Sequence, residues 1–177
     1  MSYRIGLDLG GTKVLGVVTD SDHKVIHRKK HRLSNRADIS AVMDQISNVY
    51  TALAEQVGDE KIDSVGIALP SPVDNELGHA KHLTAFQEKE LPVRDMLKER
   101  TGVDVKLGND VNMATLAEYK FGAGKGVSSL FTFYPGTGLG GGYIYKGKLV
   151  TGFNSTAAEV GHVVIDIDGP LCKCGRH

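Results

Sequence analysis

The chain is poor in the features that mark specialised classes. It has two cysteines in 177 residues, which excludes a disulfide scaffold. They stand at Cys172 and Cys174, too close for an ordinary stabilising disulfide, and a reducing, cytoplasmic compartment fits best. There is no net charge, with Lys+Arg and Asp+Glu both at 21 and a pI of ≈ 7.1. Nothing in that balance favours a nucleic-acid or membrane partner. The basic run His27-Arg-Lys-Lys-His-Arg32 is the local exception, and it reads as a solvated edge strand. No signal-peptide pattern and no bilayer-spanning apolar run occur. What is present is a hydrophobic share of 41% and 22 glycines. That composition suits one large domain, or a complete domain plus part of another.

Several glycines cluster in turns. Ile5-Gly-Leu-Asp-Leu-Gly-Gly-Thr-Lys-Val-Leu-Gly-Val-Val18 is two apolar runs around a Gly-Gly pair, hence strand, tight turn, strand. A carboxylate at Asp8, bare amides at Gly10 and Gly11, and Thr12 with Lys13 could receive a phosphate chain and its Mg²⁺. The same residues would equally serve an ordinary hairpin.

Spacing predicts a meander over 3–9, 13–20 and 24–32, then an amphipathic helix over 38–57 with Gly58 as its C-cap. A buried strand over 62–69 ends at Pro70-Ser-Pro-Val-Asp74. Residues 75–91 read as irregular. A short helix over 92–100, a strand over 103–107 and a helix over 111–121 follow. The order is an α/β plan with a mixed sheet and flanking helices. Gly122–Gly126 reads as a boundary between lobes at 1–122 and 123–177. Beyond it, residues 131–144 lie on 5–18 without a gap, a weak internal repeat that places Gly136 on Gly10 and Gly138 on Thr12.

Three constellations could carry chemistry. Asp110 follows Asn109 where a strand opens into a helix; it could be a general base, or either residue could cap the helix. Glu159-x-x-His162 could bind a ligand or be a surface acid and a satisfied histidine. Cys172-x-Cys174 could bind metal or be two free thiols.

Leu7-Asp-Leu-Gly-Gly-Thr12, Gly108-Asn-Asp110, Gly136-Thr-Gly-Leu-Gly-Gly-Gly142, Glu159-Val-Gly-His162 and Cys172-Lys-Cys-Gly-Arg-His177 occur in the order and spacing of the ROK family (repressors, open reading frames, kinases), which the chain resembles over essentially its whole length. The resemblance implies an actin-like, ribonuclease-H-like fold and ATP-dependent phosphorylation of a hexose, glucokinase-like. Asp110 would be the base and Asn109 would orient the sugar. Asp8, Gly10, Gly11, Thr12 and Lys13 would form one phosphate site with Mg²⁺, and Thr137 with Gly138 the other. Glu159 and His162 would hold the sugar. His162, Cys172 and Cys174 would ligate a structural Zn²⁺, with a fourth ligand expected beyond His177; His177 itself could substitute. The expectation is therefore an N-terminal piece of a longer kinase, inactive alone, with an incomplete second lobe. Because the first motif lies close to Met1, the family regulators' DNA-binding domain is not expected. A small-molecule sugar and ATP are the expected partners, with association into a dimer or tetramer.

N-acetylmannosamine, N-acetylglucosamine and fructose kinases of the same family are alternatives, as is a non-catalytic sugar sensor. Departures from the pattern bear on the sugar. Ser71 replaces glycine in the Pro-Gly-Pro-Val-Asp turn, Ser155 and Ala158 stand where glycine is expected, and Pro135 replaces an aliphatic.

Overall fold

The computed structural model describes residues 2–136, 138–172 and 174–177. They form two compact units, Met1–Asp110 and Val111–His177, so the division falls one helix before the glycine-rich stretch.

The first unit is built on the opening meander. β1 (Ser2–Leu9), β2 (Lys13–Thr19) and β3 (Val25–Arg32) pair antiparallel; β4 (Lys61–Leu69) joins β1 in parallel. Strand alternation sends Ile5, Leu7 and Leu9 of β1 and Val14 and Val18 of β2 to one buried face. α1 (Ile39–Ala54) covers that face with Val42, Met43, Ile46, Val49 and Leu53. The helix starts where Asp38 accepts from the backbone amides of Ser40 and Ala41 at 3.0 and 3.2 Å. It ends at Ala54, short of the expected Val57. Residues 55–58 continue as tightened turns, and Gly58 has φ +58.

Gly16 shows how closely helix and sheet approach. A Cβ there would lie 2.5 Å from Leu53 Cδ1 and 2.9 Å from Val49 Cγ1. Both side chains are buried and have no room to retreat. Gly16→Ala is expected to cost about 1–3 kcal/mol through overpacking. Urea unfolding should show a lower midpoint at unchanged m value; an unshifted midpoint would refute it.

The region expected to be irregular is a small antiparallel sheet. Its strands are β5 (Val73–Asp74), β6 (His79–Leu83) and β7 (Glu88–Leu91), with a 3₁₀ turn at Thr84–Phe86. α2 (Val93–Thr101) follows and stops at Gly102, in left-handed conformation with φ +73. β8 (Val105–Asn109) then pairs parallel with β4 and completes the main sheet in the order β3-β2-β1-β4-β8.

In the second unit, α3 (Asp110–Phe121) is followed by β9 (Leu130–Pro135), β10 (Leu139–Tyr145) and β11 (Lys148–Leu149). Gly140 and Gly142 let β10 lie directly on the helix: a Cβ would strike Val111 at Gly140 and Thr115 Oγ1 at Gly142. The two glycine turns are related, though not residue for residue. Leu9 pairs with Val14, whereas Pro135 pairs with Leu139. The second loop is one residue shorter, so a gapless superposition drifts out of register after the turn. The described residues of 151–177 carry one 3₁₀ turn (Val160–His162) and leave Phe153, Ile165, Ile167 and Leu171 largely exposed.

Candidate functional site

In the first unit, Asp8 and the Gly10–Lys13 turn lie at the carboxyl end of β1. Asn109 and Asp110 lie at the corresponding end of β8, across the intervening β4. Parallel pairing of β1, β4 and β8 brings these strand ends to one rim of the sheet, the edge at which α/β sheets bind ligands.

The turn is held by its own backbone and by the loop after β3. The Gly10 amide donates to the Lys13 carbonyl at 2.8 Å, and the Leu33 amide to the Thr12 carbonyl at 3.0 Å. Arg36 Nη1 donates to the Gly11 carbonyl at 2.5 Å. Two successive turn carbonyls are thus occupied by donors from residues 33–36.

The acids at the rim feel each other. Although Asp8 is exposed, partial desolvation pushes its carboxyl above the usual aspartate value. The Asp110 charge raises it further, and Lys13 opposes the rise. Asn109 Nδ2 donates to Asp110 Oδ1 at 3.0 Å and reaches the Ser71 carbonyl at 3.4 Å.

Ser71, which replaces the motif's glycine, acts as a positioning residue. It is buried, its hydroxyl donates to the Pro72 carbonyl at 2.7 Å, and the His82 amide donates to its Oγ at 2.9 Å. It therefore ties the 70–74 turn to β6 while its carbonyl meets Asn109. The only sequence signal was a serine where the related motif has glycine.

The pH dependence follows from Asp8. Its folded-state pKa is raised, so ionisation at neutral pH costs stability, and the cost vanishes as pH falls below the ordinary aspartate value. Asp8→Asn is expected to raise the melting temperature of metal-free protein at pH 7 by up to a few degrees. The gain should disappear in acid. The same difference between variant and wild type at both pH values, or none at pH 7, would contradict a carboxyl raised by desolvation and by Asp110.

In the second unit, Gly138 sits in the β9–β10 turn, where its carbonyl accepts from the Gly136 amide at 2.8 Å. Thr137 lies outside the described residues. Glu159 immediately precedes the 3₁₀ turn, and its carbonyl accepts from the His162 amide at 3.0 Å. Ser155 and Ala158 have φ +59 and +63. These left-handed positions give the glycine expectation its physical reason; here residues with a Cβ bear the strain.

His162, Cys172 and Cys174 converge, with one donor atom from each within 4.8 Å of the others; Cys172 Sγ is 3.8 Å from His162 Nδ1. Zinc-bound nitrogen and sulfur in a tetrahedral site lie about 3.5–3.8 Å apart, given usual Zn–N and Zn–S lengths. A small contraction would close the set around such an ion. His177 lines the same cavity without joining the trio, its Nδ1 donating to the Gly169 carbonyl at 2.6 Å.

A sequence model of the ROK family matches residues 4–177. The chain belongs to the ROK family. It is 36% identical to a glucokinase of Thermotoga maritima over 97% of this chain and 53% of that protein. It is also 27% identical to the transcriptional repressor Mlc of Escherichia coli, over 99% of this chain and 44% of the repressor. The crystal structure of a ROK glucokinase from Streptomyces griseus, in complex with glucose and AMPPNP, matches 98% of this chain and 54% of its own. That match has a TM-score of 0.84 and 32% identity. The ROK chain described here thus spans about half the length of these relatives, and its mixed sheet with flanking helices is the actin-like, ribonuclease-H-like plan of the family's sugar kinases.

Proposed function

We propose that this chain carries the acceptor-activating half of an ATP-dependent hexose kinase, glucokinase-like. The observation that carries the reading is the rim of the first unit: Asp110, braced by Asn109, within electrostatic reach of Asp8 beside the glycine turn. Phosphoryl transfer is mostly positioning and charge stabilisation. Asp110 takes the proton of the sugar hydroxyl as its oxygen attacks the terminal phosphorus, and Asn109 orients a neighbouring hydroxyl. The Gly11 and Thr12 amides and the Lys13 ammonium receive the donor phosphates, and Gly10, whose amide closes the turn onto the Lys13 carbonyl, lets them approach the backbone. Asp8 would hold Mg²⁺, which neutralises charge on the phosphates when bound; its carboxylate, already crowded by Asp110, gains from a nearby cation. Thr137 and Gly138 form the second phosphate turn. Glu159 and His162 bind sugar hydroxyls, and His162, Cys172 and Cys174 hold a structural Zn²⁺. In this reading the functional lobes are 1–122 and 123–177.

Relatives about twice as long carry these activities, so turnover is assigned to a protein of their length containing this sequence. Binding without turnover is expected of these 177 residues alone. Association into dimers or tetramers is proposed from the exposed Phe131, Phe133 and Tyr145; a monomer in sedimentation would remove it. No helix among the described residues is long and apolar enough to cross a membrane, and cytoplasmic residence goes with the kinase reading.

A coupled ADP-release assay of the full-length protein that contains this sequence should be run against glucose, fructose, N-acetylglucosamine and N-acetylmannosamine. Turnover with glucose above the others is expected; preference for another sugar would reassign the substrate within the family. Sugar binding with no turnover on any member would replace the kinase by the sensor reading.

A further inference from the structure

β3 is the outer strand of the main sheet, so one of its edges has no neighbouring strand. The Leu33 amide donates to the Thr12 carbonyl at 3.0 Å. From that pair the register runs without a slip through Val14–His31 and Gly16–Lys29 to Val18–His27. Antiparallel pairs alternate between bonded and non-bonded. His31, Lys29 and His27 therefore turn their backbone groups towards β2, and Arg32, Lys30 and Arg28 turn theirs outward. Side chains alternate as well. His31 and His27 are paired with Val14 and Val18, which are buried under α1, so Arg28, Lys30 and Arg32 lie on the opposite face.

Arg28, Lys29, Lys30 and Arg32 are exposed. Among the described residues no ion pair reaches them. The strand is eight residues long, has no proline, and is irregular in register only at its start. On the α1 face a groove of about 280 Å³ opens between His27 and Lys29 and the end of α1 at Leu53, Glu55 and Gln56. Protection of a bare edge explains why such a strand carries charge. The charges that repel a neutral or basic strand also attract an acidic one, and this edge then offers both backbone bonds and counter-charge.

We propose that the free edge of β3 is a docking site for an extended acidic segment of a partner protein, which adds to the sheet as a further strand. In this mode the partner's main chain bonds Arg28, Lys30 and Arg32, and its side chains supply specificity. Partner residues opposite these three share their face, so Asp or Glu there meets a cation directly. The residues between them lie on the α1 face, where Glu55 in the groove disfavours another carboxylate and short uncharged side chains fit. The recognised pattern is acid, neutral, acid, neutral, acid. A second copy of β3 would set like charges opposite each other, which disfavours edge-to-edge pairing of two such chains. A nucleic acid matches the edge poorly. Its phosphates can accept from the outward amides but meet the outward carbonyls with like partial charge, and residues 25–32 hold no aromatic ring on which bases could stack.

The probe is a capped, fluorescently labelled peptide in which Glu alternates with Thr or Val, titrated against the 177-residue chain. Three ligands are compared with it: a peptide of the same composition with its glutamates contiguous, the alternating peptide N-methylated at each Glu, and single-stranded DNA of equal charge. The alternating peptide is expected to bind about tenfold or more tightly than each of the three, because only it supplies both the backbone bonds and the matched charges. It should slow amide exchange at Arg28, Lys30 and Arg32 and leave Lys29 and His31, already bonded to β2, unchanged. R28Q/K30Q, substituted at exposed positions, should melt as the wild type does and lose about tenfold in peptide affinity. Absence of peptide binding, equal binding of the N-methylated or contiguous peptide, DNA binding as tight, or unchanged exchange at the three outward amides would overturn the docking site.

Discussion

In the full-length protein that contains this sequence, Asp110→Asn is expected to lower sugar-dependent ADP release by about 10²–10⁴-fold, the usual worth of a positioned general base. The substitution keeps the shape of the side chain and an oxygen that can accept the Asn109 amide, so the 3.0 Å contact survives. What it removes is a group able to take the hydroxyl proton. KM for the sugar should therefore stay within a few-fold while kcat collapses. The competing role, a structural one at the start of α3, makes a different forecast. Asparagine serves helix starts nearly as well as aspartate, and loss of the charge–dipole term in the first turn costs only about 0.3–1 kcal/mol. A helix-start residue would thus leave turnover nearly intact. An unchanged kcat in Asp110→Asn would remove Asp110 from the mechanism, whatever its effect on stability.

The same rim shows what sequence reveals and what it hides. Asp8, the glycine turn and Asn109-Asp110 were legible because each interrupts a strongly periodic apolar segment, and parallel strands bring their carboxyl ends together. α1 was legible through its three- and four-residue spacing. Its last turn was overextended because Val57 is still buried at 9% exposure although the chain has left the helix. The small sheet over 73–91 was hidden. Its strands are two to five residues long and rich in charge, and the bends at Gln87 and Glu90 use positive φ without glycine. No period of two survives in so short a run. Ser71 was hidden for another reason: its importance lies in contacts to residues 82 and 109, which local pattern cannot show. The second glycine turn was read as an equivalent of the first, but only pairing partners reveal that its loop is one residue shorter.

The second large effect is expected at the thiol–imidazole trio. Purified protein should contain about one zinc per chain, and Cys172→Ser with Cys174→Ser should reduce that to background. Residues 151–177 have little else to hold them. Among their described residues there is no strand and a single 3₁₀ turn, and the apolar side chains Phe153, Ile165, Ile167 and Leu171 face solvent rather than a core. The buried core cluster of the chain lies wholly between Ile5 and Leu107. In such a segment metal ligation is the available cross-link, and structural zinc in small motifs is worth about 10–16 kcal/mol of apparent binding energy at neutral pH. Three protein donors make a strong site only if a fourth completes the tetrahedron, so zinc should exchange faster here than in a closed four-ligand site. Chelation should therefore expose residues 151–177 to protease and to amide exchange, leaving β1–β4 and α1 protected. Serine preserves the side-chain size but not the thiolate, so packing loss cannot account for the same result. Zinc content unaffected by the double substitution would dissolve the site, and unchanged protection after chelation would show that something other than metal orders this segment.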